Sequence, residues 1–376
     1  MKKTVAYLLA FALAAGTLAG CSSSDTNPTT AAATTAAETT KASAAADTTA
    51  ATGEKTEDAF EKKELSELKI GVSFYAYASA SAIRQLDYLR YVFEEAGCEV
   101  PYAVANNSVE QQIADVENLI EQDCDAIILD PCQMEGYEDV LQQCKDAKIP
   151  VFIMGNKLNP EVYTAGEDYV TLLQSDMVLQ GENAGHAAAK VAKEELQGTA
   201  YAVVTFGTPG MQSATDRING YNNIDFSDDS IVTIGVQTAY NKAADAQSIV
   251  ENYIMSTGGP EAEKGVNTIV CMTHNCAIGA IAAVKNMGYK PNEDIYIIVV
   301  DGVKEDLQAI IDGDLYIAVE SPCFYAEQQL ELIEKYFQGE KLEPYYEIKT
   351  TIFDKDNAQE WYDKFNEYDT VIGYTG

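Results

Sequence analysis

From Leu68 onward, short apolar runs without polar alternation keep returning, each followed by a stretch with helical periodicity. Leu68-Lys69-Ile70-Gly71-Val72-Ser73-Phe74, Ala126-Ile127-Ile128-Leu129, Ile149-Pro150-Val151-Phe152-Ile153-Met154 and Ile295-Tyr296-Ile297-Ile298-Val299-Val300 are too short for buried helices and lack the period of a half-exposed strand. Such runs are strands buried on both faces, and with helices between them they predict parallel sheets. Between them, Ala80 to Glu95 places Ile83, Leu86, Leu89, Tyr91 and Phe93 at helical spacing, with Gly97 as a stop. Further helices are expected over Val109–Glu121, Tyr137–Asp146, Val178–Glu195, Ser213–Asn222, Ala243–Met255, Cys276–Asn286, Lys304–Asp312, Tyr325–Phe337 and about Asn357–Phe365. Strands are expected at Glu99–Ala103, Tyr169–Leu173, Tyr201–Phe206, Ile231–Gln237, Thr268–Met272 and Tyr316–Glu320, with Tyr346–Phe353 extended. So many βα units exceed one comfortable sheet, so the predicted fold class is α/β with two doubly wound lobes and a cleft between them.

Ahead of this region the chain reads differently. Lys2 and Lys3 precede a mostly apolar stretch from Val5 to Leu18, the layout of a secretory signal peptide. At about 14 residues the run is short against the roughly 20 that a membrane span needs. Leu18-Ala19-Gly20-Cys21 resembles the lipobox of bacterial lipoproteins, which implies cleavage before Cys21 and lipid attachment to its thiol. Residues 22–67 read as a tether. Between Ala31 and Thr52 there is no aromatic or branched aliphatic residue to bury, and threonines interrupt the alanines throughout. As a coil of about 45 residues the tether would reach roughly 35–40 Å on average.

A net charge of -34 repels phosphate backbones, so no nucleic-acid partner is expected, although a local arginine can still receive an anion. Beyond Cys21 seven cysteines remain, an odd number at wide spacing, which predicts buried free thiols rather than a disulfide framework. The chain has no Gly-rich dinucleotide fingerprint and no phosphate-cradling loop ending in Lys-Ser or Lys-Thr. With only His186 and His274 present, a histidine triad or histidine-rich metal site has few candidates, and neither a catalytic residue, a metal nor a cofactor is expected. What remains is a set of polar and aromatic residues just after strands, where open parallel sheets bind ligands: Tyr75, Tyr77, Asn156, Asp176, His274, Asp301 and Glu320, with Arg217 and Tyr240 beside helices on the same rim. Such a set suits hydroxyl-rich ligands with an apolar ring face.

From Leu68 to about Phe365 the chain resembles the type I periplasmic binding proteins of ribose and galactose ABC importers. Val151-Phe152-Ile153-Met154-Gly155-Asn156 resembles the strand that ends in a sugar-contacting residue, and Ser175-Asp176 the "SD" of the first crossing between lobes. Ala214-Thr215-Asp216-Arg217-Ile218-Asn219-Gly220-Tyr221 is similar to the "A-x-x-R-x-x-G-F" helix that supplies a ligand arginine. Asn275-Cys276-Ala277-Ile278-Gly279-Ala280 resembles the "ND-x-x-A-x-G-A" helix start, and Val299-Val300-Asp301-Gly302 the "G-x-D-G" whose aspartate binds sugar hydroxyls. Departures are present: Tyr77-Ala78-Ser79-Ala80 stands where the family has "N-P-F", Thr273 and His274 replace the Asn-Asp pair, and Glu320 replaces a Gln or Asn.

The resemblance implies an N-terminal lobe of residues 68–174 and 321–350, a C-terminal lobe of 175–320 and 351–376, and three hinge crossings. It implies a monomeric, lipid-anchored, extracytoplasmic binder that closes on a small polar ligand, above all a sugar, and docks on ABC permease subunits. The alternatives are a ligand receptor for a sensor kinase or chemotaxis system, and a binder of a nucleoside or other non-sugar solute. A glycosidase would need two carboxylates at a set separation across the cleft.

Overall fold

The computed structural model describes residues 62–209 and 211–375. The leader, the lipid attachment at Cys21 and most of the tether lie outside the described residues. Among the described residues, twelve strands form two six-stranded sheets. The first contains β1 (Ile70–Phe74), β2 (Tyr102–Val104), β3 (Ala126–Leu129), β4 (Val151–Met154), β5 (Leu172–Ser175) and β11 (Tyr345–Ile348), in the order β11-β5-β4-β3-β1-β2. The second contains β6 (Ala200–Phe206), β7 (Ile231–Thr238), β8 (Thr268–Cys271), β9 (Tyr296–Asp301), β10 (Ile317–Glu320) and β12 (Ile352–Phe353), in the order β12-β10-β9-β8-β6-β7. Every pairing is parallel except β10 with β12. The expected two-lobed α/β class is the observed one.

The unalternating strands have the cause inferred from their sequence. In β3, Ala126 and Ile128 enter one apolar cluster while Ile127 and Leu129 enter another on the opposite face. In β9, Ile297 and Val299 face one cluster, Ile298 and Val300 the other. Helices cover both faces: α1 (Ala80–Glu95), α2 (Val109–Glu121), α3 (Glu138–Asp146) and α9 (Ala326–Phe337) around the first sheet, and α4 (Met177–Lys190), α5 (Gln212–Asp225), α6 (Ala243–Thr257), α7 (His274–Asn286) and α8 (Lys304–Ile311) around the second. The chain passes between sheets after β5, after β10 and between β11 and β12.

Several boundaries differ from the sequence expectation. Residues placed in the tether are already docked: Lys63 pairs with Asp125, and Leu65 packs on the first core while its carbonyl accepts from Cys98. The helix expected from Cys276 begins at His274, with Thr273 as N-cap. The last helix, α10, runs Ala358–Ile372, a full two turns beyond Phe365. Its inner face continues through Tyr368, Asp369 and Ile372, at helical spacing from Phe365.

That extension ties the lobes together. Ala358 and Phe365 belong to the core of the second sheet, whereas Tyr368 and Ile372 pack on the core of the first. Arg84 of α1 is fully buried; its Nε donates to Asp369 Oδ1 at 2.7 Å, and its terminal nitrogens donate to Glu305 of α8 at 3.2 Å. Its guanidinium also lies 4.3 Å from the centre of the Tyr374 ring. Lys304 adds a second cation to Asp369 at 2.8 Å. On another loop, Lys157 after β4 reaches Asp216 of α5 at 3.1 Å.

Candidate functional site

The carboxyl ends of the central strands of both sheets bring polar groups together. In the second lobe, α5 carries Arg217 inward because it packs backbone to backbone on α4. A Cβ at Gly181 would lie 2.0 Å from the Arg217 carbonyl oxygen, and one at Gly220 would lie 1.9 Å from the Val178 carbonyl oxygen. The guanidinium, on a side chain only 5% exposed, donates from Nη1 to Asp301 Oδ1 at 2.8 Å and to the Met272 carbonyl at 2.7 Å. Its Nε donates to Gln180 Oε1 at 3.0 Å. Asp301 closes β9 at φ 144°, a conformation costly for a residue with a side chain, and its Oδ2 accepts the His274 backbone N–H at 2.9 Å. His274 Nδ1 lies 2.7 Å from Asp306 Oδ1. Burial works against the imidazolium, but the Asp306 bond and the charges of Asp306, Asp301 and Glu305 raise its affinity for a proton above the ordinary value.

In the first lobe the central group is Asp130, which directly follows β3 and is 1% exposed. Its Oδ1 accepts from Asn156 N at 3.0 Å and Asn156 Nδ2 at 2.9 Å, and its Oδ2 from Gln85 Nε2 at 3.1 Å. All three donors are neutral, so burial prevails and pushes the carboxyl up to about 7. Gln85 also donates to the Tyr325 hydroxyl. Tyr75, at the end of β1, is buried enough to raise its phenol well above the ordinary value, with Asp130 of one lobe and Asp301 of the other both adding to the rise.

Of the nine residues singled out from the sequence, the structure joins Arg217, Asp301 and His274 in one bonded set and binds Asn156 to Asp130 in the other, while Tyr75 follows β1 and belongs to neither bonded set. Four others are engaged elsewhere. Asp176 is exposed and caps α4, accepting from Leu179 N at 2.9 Å. Tyr77 donates to Asp87 Oδ2 at 2.6 Å, which pushes its phenol up to about 12. Tyr240 is 53% exposed in a turn at φ 49°, its N–H bonded to Thr238. Glu320 accepts the Thr351 N–H at 3.0 Å and so links the second and third crossings; burial raises its carboxyl. His186 is exposed on α4. Asp130, Gln85 and Gln180 were not recognised in the sequence. Asp130 had a signal, an acid directly between an apolar strand and Pro131, but the same pattern marks an ordinary turn.

Comparison with known proteins adds four findings. The family described as "Periplasmic binding protein domain" matches residues 70–341. The galactofuranose-binding protein YtfQ of Escherichia coli (strain K12) is 28% identical over 301 residues, covering 79% of this chain and 91% of that protein. The fructose import binding protein FruE of Bifidobacterium longum (strain NCC 2705) is 26% identical over 275 residues, or 72% of this chain and 80% of the relative. The crystal structure of a galactofuranose binding protein superimposes with a TM-score of 0.70 at 27% identity, covering 80% of this chain and 99% of that one.

Proposed function

The chain belongs to the periplasmic binding protein domain family, non-enzymatic ligand carriers, and from that premise we propose that it is an extracytoplasmic sugar-binding lipoprotein serving an ABC importer. Capture is by closure of the two lobes, without bond-making or bond-breaking, and lipid on Cys21 holds the monomer at the membrane beside its permease. The observation that carries this reading is the gathering of two polar sets at strand carboxyl ends, Asp130 with Asn156 in one lobe and Arg217 with Asp301 in the other. Carboxylates accept from sugar hydroxyls, Asn156 and the unbonded Nη2 of Arg217 donate to them, and Tyr75 offers a ring face. The relatives' names, galactofuranose and fructose, favour a small neutral sugar.

Closure follows from the ligand's higher affinity for the state in which both sets touch it. A thermal-shift and calorimetry screen with D-galactose, L-arabinose, D-fructose, D-ribose and xylitol tests the reading. A sugar at 100 times its Kd adds about 2.7 kcal/mol, and Arg217→Ala and Asp301→Ala abolish that gain. Full shifts in both variants would move the site elsewhere, and turnover of a bound sugar would make the chain an enzyme.

A further inference from the structure

Arg217 is held by a residue that also holds the hinge. Gln180 lies in the second turn from the start of α4 and is completely buried. Its Oε1 accepts from Arg217 Nε at 3.0 Å, and its Nε2 donates to Ser175 Oγ at 3.0 Å. The orientation of the amide is not arbitrary. A guanidinium only donates, so the carbonyl must face Arg217 and the NH2 must face the hydroxyl. Ser175 ends β5, in register with Ile348 of β11, the last strand before the third crossing. Five residues therefore separate the chain's first passage between lobes from the side chain that fixes the binding arginine. Gly181 and Gly220 leave no room for a Cβ between α4 and α5, so the helix of Arg217 packs directly on the helix of Gln180.

We propose that Gln180 is a positioning residue for Arg217 and couples its aim to the first crossing. With Met272 O and Asp301 on Nη1 and Gln180 on Nε, the guanidinium plane has contacts on two of its edges. Without Gln180 the group pivots about Nη1. Through Ser175, a rotation of β5 against α4 is transmitted to that plane, so lobe closure and arginine alignment become one motion.

The inference rests on Arg217 being a ligand contact, and the test separates the two ideas. The chain has only three arginines, Arg84, Arg90 and Arg217, so nitrogen-15 spectra carry three Nε–H signals, and Arg217→Lys assigns one of them. In the ligand-free wild type the Arg217 Nε–H should exchange slowly, bonded as it is to Gln180 Oε1. Gln180→Met, similar in volume and without polar atoms, should abolish that protection, and Gln180→Glu, which keeps an acceptor, should restore it. For whichever of D-galactose, L-arabinose or D-fructose binds the wild type, Gln180→Met should raise Kd roughly tenfold, the cost of one lost bond to a charged group. Ser175→Ala should keep the Nε–H protection yet weaken binding and reduce compaction in scattering. Unaltered Nε–H protection in Gln180→Met refutes positioning, and so does unchanged affinity. Should Gln180→Met fail to fold, Gln180→Glu against Ser175→Ala decides: wild-type Kd and compaction in Ser175→Ala refutes the coupling. Absence of binding by every sugar refutes the binding reading alone, since the exchange measurement needs no ligand.

Discussion

Replacing Asp130 by Asn should stabilise the protein at alkaline pH and leave it unchanged in acid. Asp130 is 1% exposed, has three neutral donors and no cation among its bonded partners, and its carboxyl is pushed up to about 7 by burial. The sign follows from linkage. A group whose pKa is higher folded than unfolded contributes stability that is fully present below the unfolded value, near 4, and is lost as pH rises to about 7. Three pH units at 1.36 kcal/mol each set an upper bound of about 4 kcal/mol for that loss. Asparagine carries no charge and its site is compatible: Oδ1 can keep both Asn156 donors, and Gln85 can rotate its amide so that its carbonyl accepts from the new NH2 and from the Tyr325 hydroxyl. Urea unfolding of both proteins without ligand, from pH 4.5 to 8.5, should give curves that nearly coincide at the acid end and separate progressively to about pH 7, then run parallel. A constant difference across that range would show that Asp130 ionises normally and that the first-lobe site is wet.

Arg84→Met strands Asp369, 3% exposed, with Lys304 as its remaining cation, and should cost about 3 kcal/mol in chemical unfolding. Gly220→Ala drives a Cβ against the Val178 carbonyl, so α5 must move, and both Tm and sugar affinity should fall together. The seven cysteines from Cys98 to Cys323 are free thiols, six of them buried and Cys132 half-buried, and desolvation raises the pKa of each above the ordinary thiol. Among these seven, maleimide labelling of the native protein should be confined to Cys132, with all seven reacting in urea; labelling of Cys271 or Cys276 in the native state would contradict their burial.

The fold was legible because its strands are buried on both faces, and Ile295 to Val300 can hardly be read otherwise. The end of α10 was not. Asp369 and Arg84 look like surface charges in sequence, and only their meeting across the lobes, 285 residues apart, makes them interior. The site divides in the same way. Asp301 stands out as a charge at the end of an apolar strand, and Arg217 through its place in a helix similar to the "A-x-x-R-x-x-G-F" pattern. Asp176 and Glu320 give an equal signal, but the structure engages each with a backbone amide. Local sequence announces a polar group at a strand end; which partner satisfies it is decided by tertiary neighbours.

The clamp of α10 on α1 also affects how the protein can be instrumented. Tyr374 lies against the guanidinium of Arg84 on α1, just past the end of a helix that starts on the core of the second sheet. A fluorescent reporter fused after Gly376 would thus be geared to the relative rotation of the lobes and would sense it directly. A purification handle at the same place would load the fastening it was meant to leave alone, so handles belong ahead of Lys62.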